Sequence, residues 1–261
     1  MQEMWRTSEL TDKPSILDYL ETDRLYAAYA IGDLEPEMFE QCTWAGAYDG
    51  RRPSALVLHF RGLEPAALFL MGATDGLHAI LEQTLRPEQV YLTCREKHLA
   101  MTREFYAWEK VSPMWRLALQ PASFQPAGGD CVRLRPVHSD QVAALYTLGG
   151  GLAFSPAQLE HGVFYGVLAD GQLVAAAGTH LVSPTYEVAA VGNVFTHPGH
   201  RGRGYGTACT SAVVVELVER GIRDIVLNVG QENARAHRIY KQLGFARYCP
   251  FLEGPARAAS A

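Results

Sequence analysis

The chain is poor in cysteine and carries no excess of positive charge. Its 261 residues include five cysteines, Cys42, Cys94, Cys131, Cys209 and Cys249. They are odd in number and scattered singly, which argues against a disulfide framework and against a C-x-x-C metal site. Reduced thiols in a cytoplasmic protein are the expectation. Lys and Arg number 23 against 28 Asp and Glu, for a net charge of −5 and a pI near 6.0. No electrostatic footprint for nucleic acid is present. No apolar run approaches membrane-spanning length, and the opening Met1-Gln2-Glu3-Met4-Trp5-Arg6 lacks a basic and then apolar signal segment. Neither a membrane nor a nucleic-acid partner is therefore expected. What remains is 48% hydrophobic and 20% charged, the balance of a globular protein. The length suits one large domain or two of ordinary size.

The most informative stretch is Asn193-Val194-Phe195-Thr196-His197-Pro198-Gly199-His200-Arg201-Gly202-Arg203-Gly204-Tyr205-Gly206-Thr207. An apolar strand, 188–195, runs into it, and a helix over about 205–220 runs out. Glycines between them permit a sharp turn and close approach of a ligand to the backbone. The first amides of the helix lack internal partners and the helix dipole is positive there. Such a junction suits a phosphate or diphosphate. Walker A is excluded, because no Gly-Lys-Ser/Thr follows. The dinucleotide fingerprint G-x-G-x-x-G is excluded, because the spacing is Gly202-x-Gly204-x-Gly206.

Along the chain, two short helices are expected over 11–34, the first capped by Thr11 or Asp12 and the second running from Arg24 to Ile31. An Asp49-Gly50 hairpin follows, and Asp-Gly between apolar strands is a strong hairpin signal. A strand at 67–71, a helix to Leu85, a strand at 90–93, a helix at 96–105 and one or two strands over 108–119 complete the first half. Gln120 to Asp130 has linker composition. The division expected is 1–120, a linker at 121–130, and 131–261. The second half offers a strand at 132–135, a helix to Leu148 ended by Gly149-Gly150-Gly151, a short helix at 155–160, an Asp170-Gly171 hairpin, and the strand and helix of the glycine loop. A strand at 225–229, a helix over 233–243 closed by Gly244, and a last strand follow. Residues 254–261 look like a frayed tail. The two halves repeat one pattern, except that only the second has a clear strand in front.

The order strand, two helices, three antiparallel strands, helix, strand, helix, strand resembles that of the GNAT N-acetyltransferase superfamily. Three stretches carry the resemblance: Arg201-x-x-Gly204-x-Gly206, Ala175-Ala-Ala-Gly-Thr-His180, and Asn233-x-x-Ala236-x-x-x-Tyr240-x-x-x-Gly244-Phe245. It covers 132–250 in detail and the first half by pattern, as in tandem GNAT proteins with a degenerate N-terminal half. The matching junction of the first half, Met71-Gly-Ala-Thr-Asp-Gly76, lacks the arginine, and its acid would repel a diphosphate. The fold class implied is α/β (α+β), two GNAT-like domains, each a mixed, mostly antiparallel sheet flanked by helices.

The resemblance implies acetyl-CoA as cosubstrate, no metal, and a small-molecule primary amine as acceptor. Backbone groups of Val194, Phe195 and Thr196 would meet the pantetheine arm and the thioester carbonyl. Arg201, Gly202, Arg203, Gly204, Tyr205, Gly206 and Thr207 would cradle the diphosphate, and Asn233 would touch the arm. Tyr240 would protonate or hydrogen-bond the departing sulfur. Many relatives carry a glutamate on the strand before the loop. Ala189 and Ala190 occupy much of that region here, so Glu187, the nearest acid, is the candidate base, with His180 and His197 as alternatives. His197 and His200 make no metal site without further ligands. The second reading is a catalytically silent acyl-CoA-binding sensor. A nucleic-acid role, resting only on Arg201 and Arg203, comes third. The first half is expected to cover the second and help to shape an amine pocket. A monomer or homodimer is expected.

Overall fold

A computed structural model describes residues 5–50, 52–149 and 154–259; Gly150 and Gly151 of the glycine run lie outside them. The chain forms two compact units, Met1–Trp115 with Cys249–Ala261, and Arg116–Tyr248.

The first unit opens on β1 (Arg6–Leu10), then α1 (Lys13–Leu20), α2 (Ala28–Gly32) and α3 (Pro36–Phe39). Asp12 caps α1 by accepting from the Ser15 amide at 3.0 Å, and Pro14 stands in its first turn. The hairpin β2 (Cys42–Tyr48) and β3 (Pro53–Phe60) follows, then β4 (Ala67–Gly72), α4 (Thr74–Gln83), β5 (Gln89–Cys94), α5 (Leu99–Phe105), β6 (Tyr106–Trp108) and β7 (Ser112–Leu119). The strands β1 to β5 lie in sequence order. All their pairings are antiparallel except β4 with β5. α4 buries Leu77, Ile80 and Leu81 in a core shared with Val57, Leu70 and Leu92.

The second unit runs through β8 (Val132–Arg133), α6 (Ser139–Thr147), α7 (Gln158–His161), β9 (Tyr165–Ala169), β10 (Gln172–Ser183), β11 (Val188–Thr196), α8 (Tyr205–Glu219), β12 (Asp224–Gly230), α9 (Ala234–Gln242) and the start of β13 (Ala246–Ala258). Its strand order is β8-β9-β10-β11-β12, with β7 next to β12; residues 116–119 of β7 fall in this unit. From β8 to β12 the pairings are antiparallel except β11 with β12. The Asp170-Gly171 turn between β9 and β10 has both residues at positive φ, 52° and 77°, the tight turn that a right-twisted hairpin favours. α8 buries Cys209, Val213, Val214 and Leu217. α6 buries Val142, Leu145 and Tyr146 in a cluster with Leu134, Phe164 and Ala176.

Several elements differ from the sequence reading. A strand does stand in front of the first half: β1, Arg-Thr-Ser-Glu-Leu, is mostly exposed, so it shows no apolar alternation. The second expected helix is shorter, starting at Ala28. The stretch 121–130 lies against the second unit. The Gln125 amide donates to the Leu243 carbonyl at 3.1 Å, the Ala127 amide to Ser211 Oγ at 2.9 Å, and Gly129 abuts Ala208. The tail does not fray at Gly254. β13 continues to Ala258, paired with β5 over Leu252–Arg257 and with β6 over Ala256–Ala258. Gly254 serves close packing there, since a Cβ would stand 2.0 Å from the Lys110 carbonyl oxygen. Among the described residues no helix is long and apolar enough to cross a membrane. The five cysteines are free thiols.

Candidate functional site

The second unit builds its site where two parallel strands part. β11 and β12 pair from Val188 with Asp224 to Val191 with Leu227. β11 then continues to Thr196 and β12 to Gly230, with the register between them ended. Just past the last pair stands Asn193, a non-glycine residue at φ 52°, a left-handed backbone position that asparagine tolerates better than most. Its carbonyl is held by the Tyr146 hydroxyl, which donates at 2.6 Å. Two buried side-chain atoms at this fork, Asn193 Nδ2 and Asn228 Oδ1, lack hydrogen-bond partners among the described residues. Buried amides without partners are costly and point to a ligand or water that completes them.

The glycine loop follows directly. Gly202 and Gly204 have φ of 81° and 77°, and a Cβ at either would meet no protein atom within 4 Å. Gly204 is the N-cap of α8 and offers no side chain to its first amides. Gly206 is tight instead: a Cβ would lie 3.3 Å from Thr196 Oγ1 and 3.9 Å from Ile239 Cδ1, which brings α9 beside the start of α8. Arg201 and Arg203 are exposed. Arg201 Nε donates to the Thr196 carbonyl at 3.2 Å, and its guanidinium stands 5.9 Å from the Phe195 ring centre. Tyr205 and Thr207 are half-buried, as are Val194, Phe195 and Thr196. An uncapped helix start, open left-handed glycines and two arginines make an anion cradle.

On α9, Asn233 caps the helix, accepting from the Ala236 amide at 3.1 Å. Tyr240 is buried, 7% exposed, with its ring tilted against Phe245 at 6.0 Å. Burial pushes its phenol up to about 12. No hydrogen bond joins its hydroxyl to another described residue.

The base candidates separate. Glu187 is exposed at the start of β11, in a left-handed turn at φ 53°, with its carbonyl accepting from the amides of Arg223 and Asp224. Thr196 lies nine residues further along an extended strand, about 30 Å at ~3.3 Å per residue. The fold therefore does not bring Glu187 to the loop, and leaves it five residues, ~16 Å along the strand, from the fork at Gly192. His197 Nδ1 accepts from the Gly199 amide at 3.1 Å and shapes the loop. His180 lies at the fork. Its position is a bulge in β10, between Thr179, paired with Val191, and Leu181, paired with Ala190. A Cβ on Gly192 would come within 1.9 Å of its Nε2. Asn193, Asn228 and Gly192 were not legible as site residues. A polar residue inside an apolar strand, Asn193, was the available signal.

The first unit has a fork of its own. β4 and β5 pair from Ala67 with Tyr91 to Phe69 with Thr93, and a pocket of about 560 Å³ opens beyond, lined in part by Tyr26, Gly72, Arg95 and His98. Protein groups occupy this fork. The Tyr26 hydroxyl donates to the Leu70 carbonyl at 3.0 Å, and the Arg95 guanidinium lies 3.9 Å over the Tyr26 ring. A Cβ on Gly72 would meet the Tyr19 hydroxyl at 2.2 Å.

Parted parallel strands, an open glycine loop and a bare helix start define a class: an α/β domain whose sheet opens between two parallel strands beside an uncapped helix N-terminus. Residues 136–245 match the model of the acetyltransferase (GNAT) family. That match, about two fifths of the chain, lies wholly within the second unit, Arg116–Tyr248, and marks this stretch as GNAT-like. A mycothiol acetyltransferase of Cellulomonas flavigena is 33% identical over 100 residues, 35% of this chain and 29% of that protein. Every such curated match spans less than a third of the relative's length. Among solved structures, a GNAT-family acetyltransferase of Novosphingobium aromaticivorans aligns at TM-score 0.61 and 20% identity, over 88% of this chain and 96% of that one. A tandem GNAT protein from the clavulanic acid biosynthesis pathway aligns at TM-score 0.58 and 15% identity, over 99% and 100%. At these identities the likeness shows the fold.

Proposed function

We propose that the chain is an acetyl-CoA-dependent N-acetyltransferase acting on the primary amine of a small molecule, with its cosubstrate bound in the second unit. The observation that carries this reading is the empty space before Gly202 and Gly204 at the start of α8, set beside a fork holding two unpartnered amide atoms. Acetyl-CoA supplies an activated acyl group as a thioester. The residues present fit it: Arg201 to Thr207 would hold the diphosphate, Val194 to Thr196 and Asn233 the arm. Tyr240, which keeps its proton at any physiological pH, would hydrogen-bond the departing sulfur. A phenol held near 12 is a poor outright donor to a thiolate of ordinary pKa ~8.5, so stabilisation by the hydrogen bond is its main role. Relatives named for mycothiol favour a small-molecule acceptor over a protein one.

The first unit is read as a degenerate duplicate, because Tyr26, Tyr19 and Arg95 stand in its fork and its junction lacks the arginine. The sensor reading draws support from one observation, the remoteness of Glu187. Titration calorimetry with coenzyme A, joined to a free-thiol assay over a panel of amines, separates the possibilities. One site per chain, lost in Arg201→Ala with Gly204→Val, and amine-dependent thiol release are expected. Two sites would defeat the degenerate reading. Binding with no amine-dependent release over the whole panel would favour the sensor.

A further inference from the structure

Resting on the acetyltransferase reading, we propose that His180 is the general base of the transfer, placed where β11 leaves β12. The argument starts from the path of the ligand. With the diphosphate at the α8 start, an extended arm has one way inward, back along β11 from Thr196. The fork closes at Val191, where pairing with Leu227 begins. The arm must therefore end near Gly192 and Asn193, four residues or ~13 Å from Thr196. The reacting carbonyl at the tip of that arm stands beside Gly192.

The His180 imidazole lies across Gly192. The bulge in β10 turns its side chain onto that residue, and the absence of a Cβ makes the room, since one there would sit 1.9 Å from Nε2 and 2.1 Å from Cδ2. The residue keeps accessible surface, and protein packed around the imidazole lowers its pKa from the ordinary value. Accessible area decides whether a substrate reaches it; crowding decides its charge. At neutral pH it is an uncharged imidazole able to take a proton. Glu187 lies at the other end of β11.

The acceptor reacts as the neutral amine. Its lone pair forms the C–N bond at the thioester carbonyl, and the nitrogen, now positively charged, loses a proton more readily than the free ammonium does. That proton passes to an imidazole nitrogen and on to water. The C–S bond breaks, and the sulfur leaves with the electron pair and gains a proton.

The test uses the full chain in two arms. In the first, the His180 ring signals, assigned by their loss in His180→Gln, are followed by NMR. Acetyl-CoA should shift them, whereas adenosine 3′,5′-diphosphate, which reaches the loop only, should not. In the second, His180→Gln and Gly192→Ala should each lower kcat by ~10²–10⁴, the usual worth of a general base. The KM for acetyl-CoA should stay within about threefold, and the double variant should be no worse than either single one. Imidazole added to His180→Ala should restore part of the rate. Signals that stay still while calorimetry shows acetyl-CoA bound, or undiminished turnover in His180→Gln, overturn the assignment. Failure of acetyl-CoA to bind at all would instead bring down the acetyltransferase reading, and this assignment with it.

Discussion

Single residues divide here into those readable from the sequence and those set by strand register. The glycine loop and the Asn233–Tyr240 helix are local patterns, and their spacing places them on a loop and a helix without knowledge of the rest. The pairing of His180 with Gly192 is not local. It depends on a bulge that shifts register between β10 and β11, and a one-residue slip would turn the side chain to the other face. Tyr240→Phe tests the local part. The ring keeps its contact with Phe245, so coenzyme binding and melting temperature should stay near wild type while turnover falls by about 10- to 100-fold, the worth of a hydrogen bond to a charged sulfur; steady-state kinetics beside calorimetry would show it, and unchanged turnover would mean that the sulfur leaves without that hydrogen bond. His98 offers a separate test in the first unit. It is fully buried, shares a 3.1 Å hydrogen bond with the Gly72 carbonyl, and is held down to about 4, chiefly by burial. The unfolded chain, with an ordinary imidazole near 6.5, takes up the proton first. The stabilisation is present above about pH 6.5 and is lost as pH falls through about 4, on the order of 3 kcal/mol in all. Urea unfolding of His98→Gln at pH 7 and pH 4.5 should show a weaker acid dependence than wild type.

At the scale of elements, turns and caps were legible while edge strands were not. Asp-Gly pairs, Pro14 after Asp12 and the glycine loop declare themselves through backbone requirements. β1 is hidden because an exposed edge strand has no alternation to show, and the end of β13 because Gly254, Pro255 and the alanines around them read as a loose tail. The α8 start gives the sharpest prediction. Gly204→Ala puts a methyl group into space that holds no protein atom, at a φ of 77°. It should cost about 1–2 kcal/mol of stability from the left-handed backbone alone and weaken coenzyme A binding by more than that, as the methyl group faces the diphosphate. Gly206→Val presses on Thr196 and Ile239, so its main effect should fall on folding. Thermal melts and coenzyme A titrations of the two variants distinguish them; equal effects in both measurements would mean that the loop is not a cradle.

For the whole molecule, the pattern of two similar halves was legible, but their boundaries along the chain differ from the linker composition at 121–130. The compact units exchange ends: residues 116–130 lie with the second and Cys249–Ala261 with the first. A fragment of residues 130–261 would lack Arg116–Leu119, which flank β12, and would carry Cys249–Ala258 without their β5 partners. It should be insoluble or unfolded, whereas the intact chain should melt in a single transition by circular dichroism; a soluble, coenzyme-binding fragment would show the second unit to be independent of both segments.

The return of the last strand to β5 also bears on synthesis. A domain that begins a chain usually folds while the rest is still being made. Here the first unit cannot complete its sheet until residues 249–258 have left the ribosome. Until then β5 presents an unpaired edge, the kind of surface that invites wrong partners. The first unit is thus finished last, and a stop codon anywhere before Cys249 removes a strand from a sheet whose other strands were translated well before it.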